Sequence, residues 1–332
     1  MPEPVVPKPE NLPVGVAGLG LMGTSITACL LAAGHPVTAV ESKAERRATA
    51  RRRLSALLSE MSREGLFRGQ AGDALGRFQS SGDVACLEGS GLVIEAIYES
   101  LEQKRELLKS IEATVSPKTP IGCNTSAIPI SLLQQSARNP KRILGIHWAE
   151  PAHTTRFLEV ICGKETSQAL ARRVAAQARY WGKEPTLVRR DIRGFITNRC
   201  FYALLREALY LVDQGYATVA DVDRSLRNDL GYWITFAGPF RYLDLTGIPA
   251  YDAVATDLFP ELSNAKEVPA PLRRLAKTGA RGVANSRGFY KYGPGQAERW
   301  EKLFLEFSYR IRALAQDYPE DAGDRPRRKT RS

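Results

Sequence analysis

The chain has 332 residues, 43% of them hydrophobic and 25% charged, too apolar for a disordered polymer and, at roughly 100–200 residues per domain, long enough for about two domains with cores of their own. Forty-seven Lys and Arg against 36 Asp and Glu leave a formal net charge of +11, which raises the question of a polyanionic partner. Much of the excess is local: Arg325, Arg327, Arg328, Lys329 and Arg331 sit at the end, Arg46, Arg47, Arg51, Arg52 and Arg53 crowd one stretch, and no groove-reading or RNA-binding motif accompanies either, which argues against nucleic acid.

No apolar run approaches about 18 residues and no leader pattern opens the chain, so a soluble protein kept inside the cell and clear of the membrane is expected. Cys29, Cys86, Cys123, Cys162 and Cys200 are scattered and never form Cys-x-x-Cys, and only His35, His147 and His153 exist. Neither a disulfide framework nor a metal site is indicated, and a reducing cytoplasm suits the free thiols.

A proline-rich tail, 1–12, expected to be disordered, precedes Val14–Ala17, a short apolar run that ends in glycines and leads into Leu21–Ala33, apolar and free of proline. This reads as strand, turn, helix. Gly34 stops the helix, Val37–Val40 is a second strand ending at Glu41, and the arginine-rich helix runs to about Glu60. Leu92–Ile97, Ile121–Asn124, Ile143–His147, Phe157–Ile161 and Thr186–Val188 follow as strands, with helices over Leu101–Val115 and Ser167–Trp181. Strands alternating with helices predict an α/β fold, a Rossmann-type doubly wound sheet over 13–192.

Near Asp191-Ile192-Arg193-Gly194 the pattern changes. Phe201, Leu204, Leu205, Ala208, Leu211 and Val212 keep the spacing of one helix face, and Thr218 with Asp221 resembles a capping box. An all-helical C-terminal domain over 193–316 is expected, followed by a charged, disordered tail, 317–332.

Gly18-Leu19-Gly20-Leu21-Met22-Gly23 stands between the first strand and its helix. There the first glycine permits a tight turn, the second admits a pyrophosphate, the third packs helix on strand, and the helix N-terminus favours the anion. Glu41, 18 residues beyond Gly23 at the end of the second strand, suits the hydroxyls of an adenosine ribose and repels a 2′-phosphate, which selects NAD, although Lys43, Arg46 and Arg47 nearby leave NADP open.

His147 ends a strand at the carboxyl edge of the sheet, and Glu159, 12 residues on, is a carboxylate among the apolar residues of the next strand. A buried carboxylate requires a partner, and an imidazole provides one. If Glu159 accepts from one ring nitrogen, it orients His147 and stabilises the imidazolium formed when the ring takes a hydroxyl proton, the role of a base in alcohol oxidation. His35 and His153 read as a turn and a loop residue.

These motifs, with Val93-Ile94-Glu95-Ala96, Asn124-Thr125-Ser126, Gly145-Ile146-His147, Leu158-Glu159-Val160, Gly194-Phe195-Ile196-Thr197-Asn198-Arg199 and Gly288-Phe289-Tyr290, follow one another in the order of the 3-hydroxyacyl-CoA dehydrogenase family, which the chain resembles from about Pro13 to Tyr292. The resemblance implies His147 and Glu159 as the catalytic pair, Ser126 and Asn198 as residues that hold the substrate, and Glu99 and Lys104 beside the nicotinamide and its ribose. It also implies a homodimer through the helical domain and a small-molecule substrate. For Glu95, Glu99 and Lys104 a charged, solvated helix start is the plainer alternative.

Two departures bear on the substrate. The family commonly follows its histidine with two aromatics, Asn and Pro, where this chain has Trp148-Ala149-Glu150-Pro151, and a Lys-Thr-Gly pattern is replaced by Ala284-Asn285-Ser286. The family's CoA-contacting lysine and serine find no counterpart after Glu41, which leaves the choice between a 3-hydroxyacyl substrate and a small non-CoA alcohol open. His147-Trp148 with Pro151-Ala152-His153, and Tyr202 to Ala208, resemble the stand-alone branch acting on pyridine alcohols, near the carnitine dehydrogenases. Glu150 either favours a neutral or cationic substrate or pairs with Arg156. A β-hydroxyacid dehydrogenase-type enzyme shares the glycine loop but not His147 with Glu159, and a catalytically idle NAD-binding protein would not need that pair.

Overall fold

The computed structural model describes residues 4–318, and the chain divides after Asn198 into two compact units. Eight strands form one sheet in the order β3-β2-β1-β4-β5-β6-β7-β8: β1 Val14–Ala17, β2 Val37–Val40, β3 Phe78–Ser81, β4 Leu92–Glu95, β5 Ile121–Cys123, β6 Ile143–Trp148, β7 Phe157–Ile161 and β8 Glu184–Val188. Order 3-2-1-4-5 is the dinucleotide-binding arrangement, with its switch point between β1 and β4. The helices of this unit are α1 Leu21–Ala33, α2 Ala44–Arg63, α3 Ala71–Gly76, α4 Leu101–Thr114, α5 Ile130–Gln134 and α6 Gln168–Ala178.

Successive strand residues face opposite sides. Val16, Ala39, Ile94 and Ile146 pack with α1, α2 and α6 on one side, and Val93, Ile121, Ile143 and Ile161 with α4 and α5 on the other. Both faces are covered, which is why β1, β4, β5 and β6 read as continuous apolar runs.

The sheet is parallel except between β6 and β7. The connection there, residues 149–156, is shorter than the dozen or so residues a parallel crossover requires, so the chain must reverse. The elements α3, β3 and α5 do not stand out in the sequence: Ala71–Gly76 and Phe78–Ser81 lack a long apolar run, and Phe78–Ser81 joins the sheet through the backbone of β2 with Phe78 alone buried in the core. Residues 9–12, within the segment read as a disordered tail, form a turn on which Pro9 is buried and Leu12 O accepts from His35 Nδ1.

The second unit is helical: it takes α7 Thr197–Asp213 from Arg199 on, the helix's first two residues belonging to the first unit, then α8 Val219–Asn228, α9 Leu230–Ile234, α10 Pro239–Thr246, α11 Ile248–Leu258, α12 Ala270–Lys277 and α13 Gln296–Gln316. Thr218 caps α8 by accepting from Asp221 N. The charged tail beyond Tyr318 lies outside the described residues. Among the described residues no helix is long and apolar enough to cross a membrane.

Candidate active site

Gly18 leaves β1 with φ 98, a left-handed turn that glycine adopts without penalty. Gly23 is required for contact: a Cβ there would lie 2.0 Å from Gly18 O. Gly20 is different, since a Cβ on it would meet nothing within 4 Å. Its missing side chain leaves room above the loop, and Leu21, beside it, is 59% exposed at the start of an otherwise buried helix. No side chain caps α1, so its first backbone N–H groups are left for an anion.

Glu41, buried at the end of β2, accepts from Leu19 N at 3.3 Å and Lys43 N at 3.2 Å. Open space at Gly20, an uncapped helix start and a carboxylate tied to Leu19 N together suit NAD. Of the clustered arginines, Arg47 is committed to the carbonyls of Glu41 and Ser42, while Arg46, Arg51, Arg52 and Arg53 are exposed.

The reversal at β7 sets His147 directly opposite Glu159. His147 Nδ1 and Glu159 Oε2 are 2.8 Å apart, with both side chains buried. A carboxylate at Nδ1 makes that nitrogen the donor, which leaves Nε2 as the nitrogen that can exchange a proton with substrate. Phe157 and Phe195 flank the imidazole with ring centroids at 5.3 and 5.6 Å. Burial works to raise the Glu159 carboxyl, but the His147 hydrogen bond, the His147 charge and the backbone N–H groups of Thr197 and Ile196 outweigh it and hold the group below the usual carboxylate range.

Those two N–H groups donate to Glu159 Oε1 at 3.1 Å each. They reach it because Gly194 and Phe195 both turn left-handed, at φ 80 and φ 49. For a phenylalanine this conformation is strained, and it persists because the ring is buried beside His147. Sequence reading placed Gly194-Phe195 in a motif but had no signal for this role.

Ser126 is exposed on the turn after β5, and among the described residues its hydroxyl has no hydrogen-bond partner; its carbonyl accepts from Asn198 Nδ2 at 3.0 Å. The turn is held by Glu99, whose Oε1 accepts from the Thr125 hydroxyl, Ser126 N and Ala127 N. Lys104 is fully buried on Glu95, not part of a solvated helix start. Asn124 N donates to Glu95 O, and its Oδ1 accepts from Trp148 N next to His147.

The loop 149–156 is fixed on several sides. Lys183 donates to Ala152 O and Thr155 O and lies over the Trp148 ring. His153 stands between Ser25 Oγ at 3.2 Å and Glu60 Oε1 at 3.4 Å. Arg156 pairs with Glu184, not with the exposed Glu150. Sequence reading missed Lys183 and gave His153 no partner, since those partners lie far along the chain.

Against known proteins, the profile of the 3-hydroxyacyl-CoA dehydrogenase NAD binding domain matches residues 13–192, and that of the 3-hydroxyacyl-CoA dehydrogenase C-terminal domain matches 194–292. The chain is 34% identical over 298 residues to a 5-formyl-3-hydroxy-2-methylpyridine 4-carboxylate 5-dehydrogenase of Mesorhizobium japonicum, covering 87% of this chain and 95% of that one. It is 30% identical to the human mitochondrial hydroxyacyl-coenzyme A dehydrogenase, over 84% and 90% of the two chains. Among solved structures, a 5-formyl-3-hydroxy-2-methylpyridine 4-carboxylic acid 5-dehydrogenase described as an NAD+ dependent dismutase superposes with TM-score 0.86 at 28% identity, over 92% of this chain and 99% of that one. The (S)-3-hydroxybutyryl-CoA dehydrogenase of Ralstonia eutropha gives 0.70 at 27%, over 85% and 99%.

Proposed function

The chain belongs to the 3-hydroxyacyl-CoA dehydrogenase family of NAD-dependent oxidoreductases acting on CH–OH, and on that premise we propose that it oxidises a small alcohol free of CoA, with His147 as the general base. The observation that carries the reading is the cross-strand pair of His147 and Glu159 at 2.8 Å. A hydroxyl proton passes to His147 Nε2, and the Glu159 carboxylate stabilises the imidazolium. The Ser126 hydroxyl and the Asn198 amide hold the substrate oxygen. The glycine loop Gly18 to Gly23 receives the pyrophosphate and Glu41 the adenosine ribose, with Glu99 on the nicotinamide side. When bound, NAD supplies the hydride acceptor.

The choice of a free alcohol over a thioester draws on the pyridine relative, which exceeds the two CoA-linked proteins named above in identity and superposition respectively. The exposed Glu150 carboxylate, three residues past His147, would also disfavour a polyanionic CoA tail. The test is nicotinamide absorbance with NAD and NADP across free alcohols and 3-hydroxyacyl-CoA thioesters. Turnover of a free alcohol with NAD is expected, lost by about 10²- to 10⁴-fold in His147→Asn while NADH binding persists. Undiminished turnover in that variant refutes the base, and turnover of thioesters alone refutes the substrate class.

A homodimer through the helical unit, in the cytoplasm, completes the reading. Helices α9, α10 and α11 bury no residue in a single copy. An apolar cavity of about 1380 Å³ lined by Trp233, Phe236, Tyr242, Trp300, Phe304 and Phe307 adjoins them, and a surface of that kind calls for a partner. Sedimentation velocity should give twice the chain mass; a monomer at micromolar concentration would refute it.

A further inference from the structure

Asp191 is a half-buried carboxylate that no step of the proposed reaction uses, and its partners lie far along the chain. Its Oδ2 accepts from Ser131 N at 2.6 Å and its Oδ1 from the Ser131 hydroxyl at 2.9 Å, while its own N–H donates to Cys162 O, just past β7, at 2.8 Å. The Ser131 hydroxyl in turn accepts from Lys164 N at 2.8 Å. A carboxylate that takes both the backbone N–H and the hydroxyl of one residue is a two-point clamp, and hydrogen bonds to a charged acceptor are the stronger kind. The charged neighbours of Asp191 in the chain, Arg190 and Arg193, are exposed, as is Lys164.

What the clamp holds is the turn that serves the catalytic carboxylate. Residues 192–195 close on a hydrogen bond from Phe195 N to Ile192 O at 3.0 Å, Gly194 and Phe195 are left-handed, and the next two N–H groups, of Ile196 and Thr197, donate to Glu159 Oε1. Ile192, Arg193, Ile196 and Thr197 are exposed, so packing secures chiefly Phe195. A left-handed phenylalanine is strained and persists only where its surroundings over-determine it. Two contacts do so: its ring lies in the same apolar cluster as Ile130 and Leu133 of α5, and Asp191 ties the start of the turn to Ser131 of that helix.

We propose that Asp191, clamped on Ser131, is a positioning residue for the catalytic pair: it fixes the turn that aims the Ile196 and Thr197 N–H groups at Glu159, and so holds Glu159 in place for His147. The proposal rests on the dehydrogenase reading above for what Glu159 does, and on the clamp for how it is held. Two N–H groups on one oxygen favour the charged carboxylate, as does His147, which faces it from β6. Once the clamp opens, the turn relaxes, those N–H groups leave Glu159 and its carboxyl moves up. Losing the Asp191 charge by itself acts with the opposite sign, because a neighbouring anion makes a carboxylate harder to ionise.

The test uses the full chain with Asp191→Ala, Asp191→Asn and Ser131→Ala, isotope-labelled at the glutamate side-chain carboxyls, and Glu159→Gln to identify the Glu159 signal. Its readouts are the NMR titration of that carboxyl, the urea midpoint, the NADH dissociation constant, and kcat and KM. Asp191→Ala should shift the Glu159 titration upward and cut kcat by about 10- to 100-fold, the effect of ångström-scale misplacement in a pre-organised site, with NADH affinity hardly changed. Ser131→Ala, which keeps the Asp191 charge and the bond from Ser131 N, should do the same to a smaller degree. Asp191→Asn can still accept from Ser131 N and donate to its hydroxyl, so its kcat should stay near that of the parent chain. If Asp191 acts through its charge instead, Asp191→Asn and Asp191→Ala lose kcat alike and the Glu159 carboxyl moves down; if it serves the fold alone, the urea midpoint falls and the carboxyl stays where it was. Either result overturns the proposal. Should Asp191→Ala not fold, Ser131→Ala decides by the same sign, an upward shift supporting the proposal and an unmoved or lowered carboxyl overturning it. The carboxyl titration needs no substrate, so it still reports if the alcohol reading itself fails.

Discussion

Gly20→Ala separates cofactor room from folding room. Gly20 has φ −69 and ψ −163, a conformation open to alanine, and its added Cβ meets no protein atom within 4 Å. Alanine is a poorer helix cap than glycine by about 0.5–1 kcal/mol, while the unfolded chain loses entropy worth about 0.4–1 kcal/mol in the opposite direction. The two nearly cancel, so the urea midpoint should hardly move. The methyl group does occupy the space a pyrophosphate must enter, and a steric cost of about 1–3 kcal/mol corresponds to about 5- to 150-fold in NAD affinity. Gly23→Ala is the contrast: its Cβ would lie 2.0 Å from Gly18 O, so α1 must move off β1 and stability falls along with affinity, by about 1–3 kcal/mol for overpacking. Calorimetric titration with NADH and urea melts of both variants distinguish them. Full NADH affinity in Gly20→Ala would refute the assignment of the loop to the pyrophosphate.

Glu159→Gln should lower kcat by about 10²- to 10⁴-fold, because an amide cannot accept at both ends from His147 Nδ1–H and from the Ile196 and Thr197 N–H groups. The Glu159 carboxyl is held low in the folded chain, so its stabilising contribution is present above the ordinary carboxylate pKa of about 4.3 and is lost as pH falls through the folded value. Urea midpoints below about pH 5 should drop less steeply in the variant; identical acid limbs would contradict the assignment. Burial holds His35 below its ordinary pKa, against the opposing effects of Leu12 O and Glu10, and its Nε2 accepts from Trp181 Nε1 at 2.9 Å. Below about pH 6.5 the unfolded chain takes up a proton that the folded chain refuses, so stability falls on acidification. His35→Gln should flatten the midpoint profile between about pH 6.5 and 5, and an unaltered slope would rule this out.

Much of the site could be read from local pattern. Val14–Ala17, the glycine run, the following helix and Glu41 are neighbours in sequence, so periodicity and turn chemistry suffice to place them. His147 and Glu159 were recognisable because a strand-end histidine and a carboxylate among apolar residues are each costly without a partner. That cost shows a partner is needed without saying where it lies.

Tertiary structure decided the rest. The reversal at β7 turns a 12-residue separation into a direct cross-strand pair. The left-handed Gly194-Phe195 step delivers two N–H groups to Glu159, and α4 carries Lys104 inward onto Glu95. None of this has a sequence signature. Hydrophobic period reports which face of an element is buried, whereas the partner of a buried charge depends on which distant strands the sheet makes neighbours. From the sequence alone came the fold class, the nucleotide loop and the pairing of His147 with Glu159; the sheet determined which backbone and charged groups surround them.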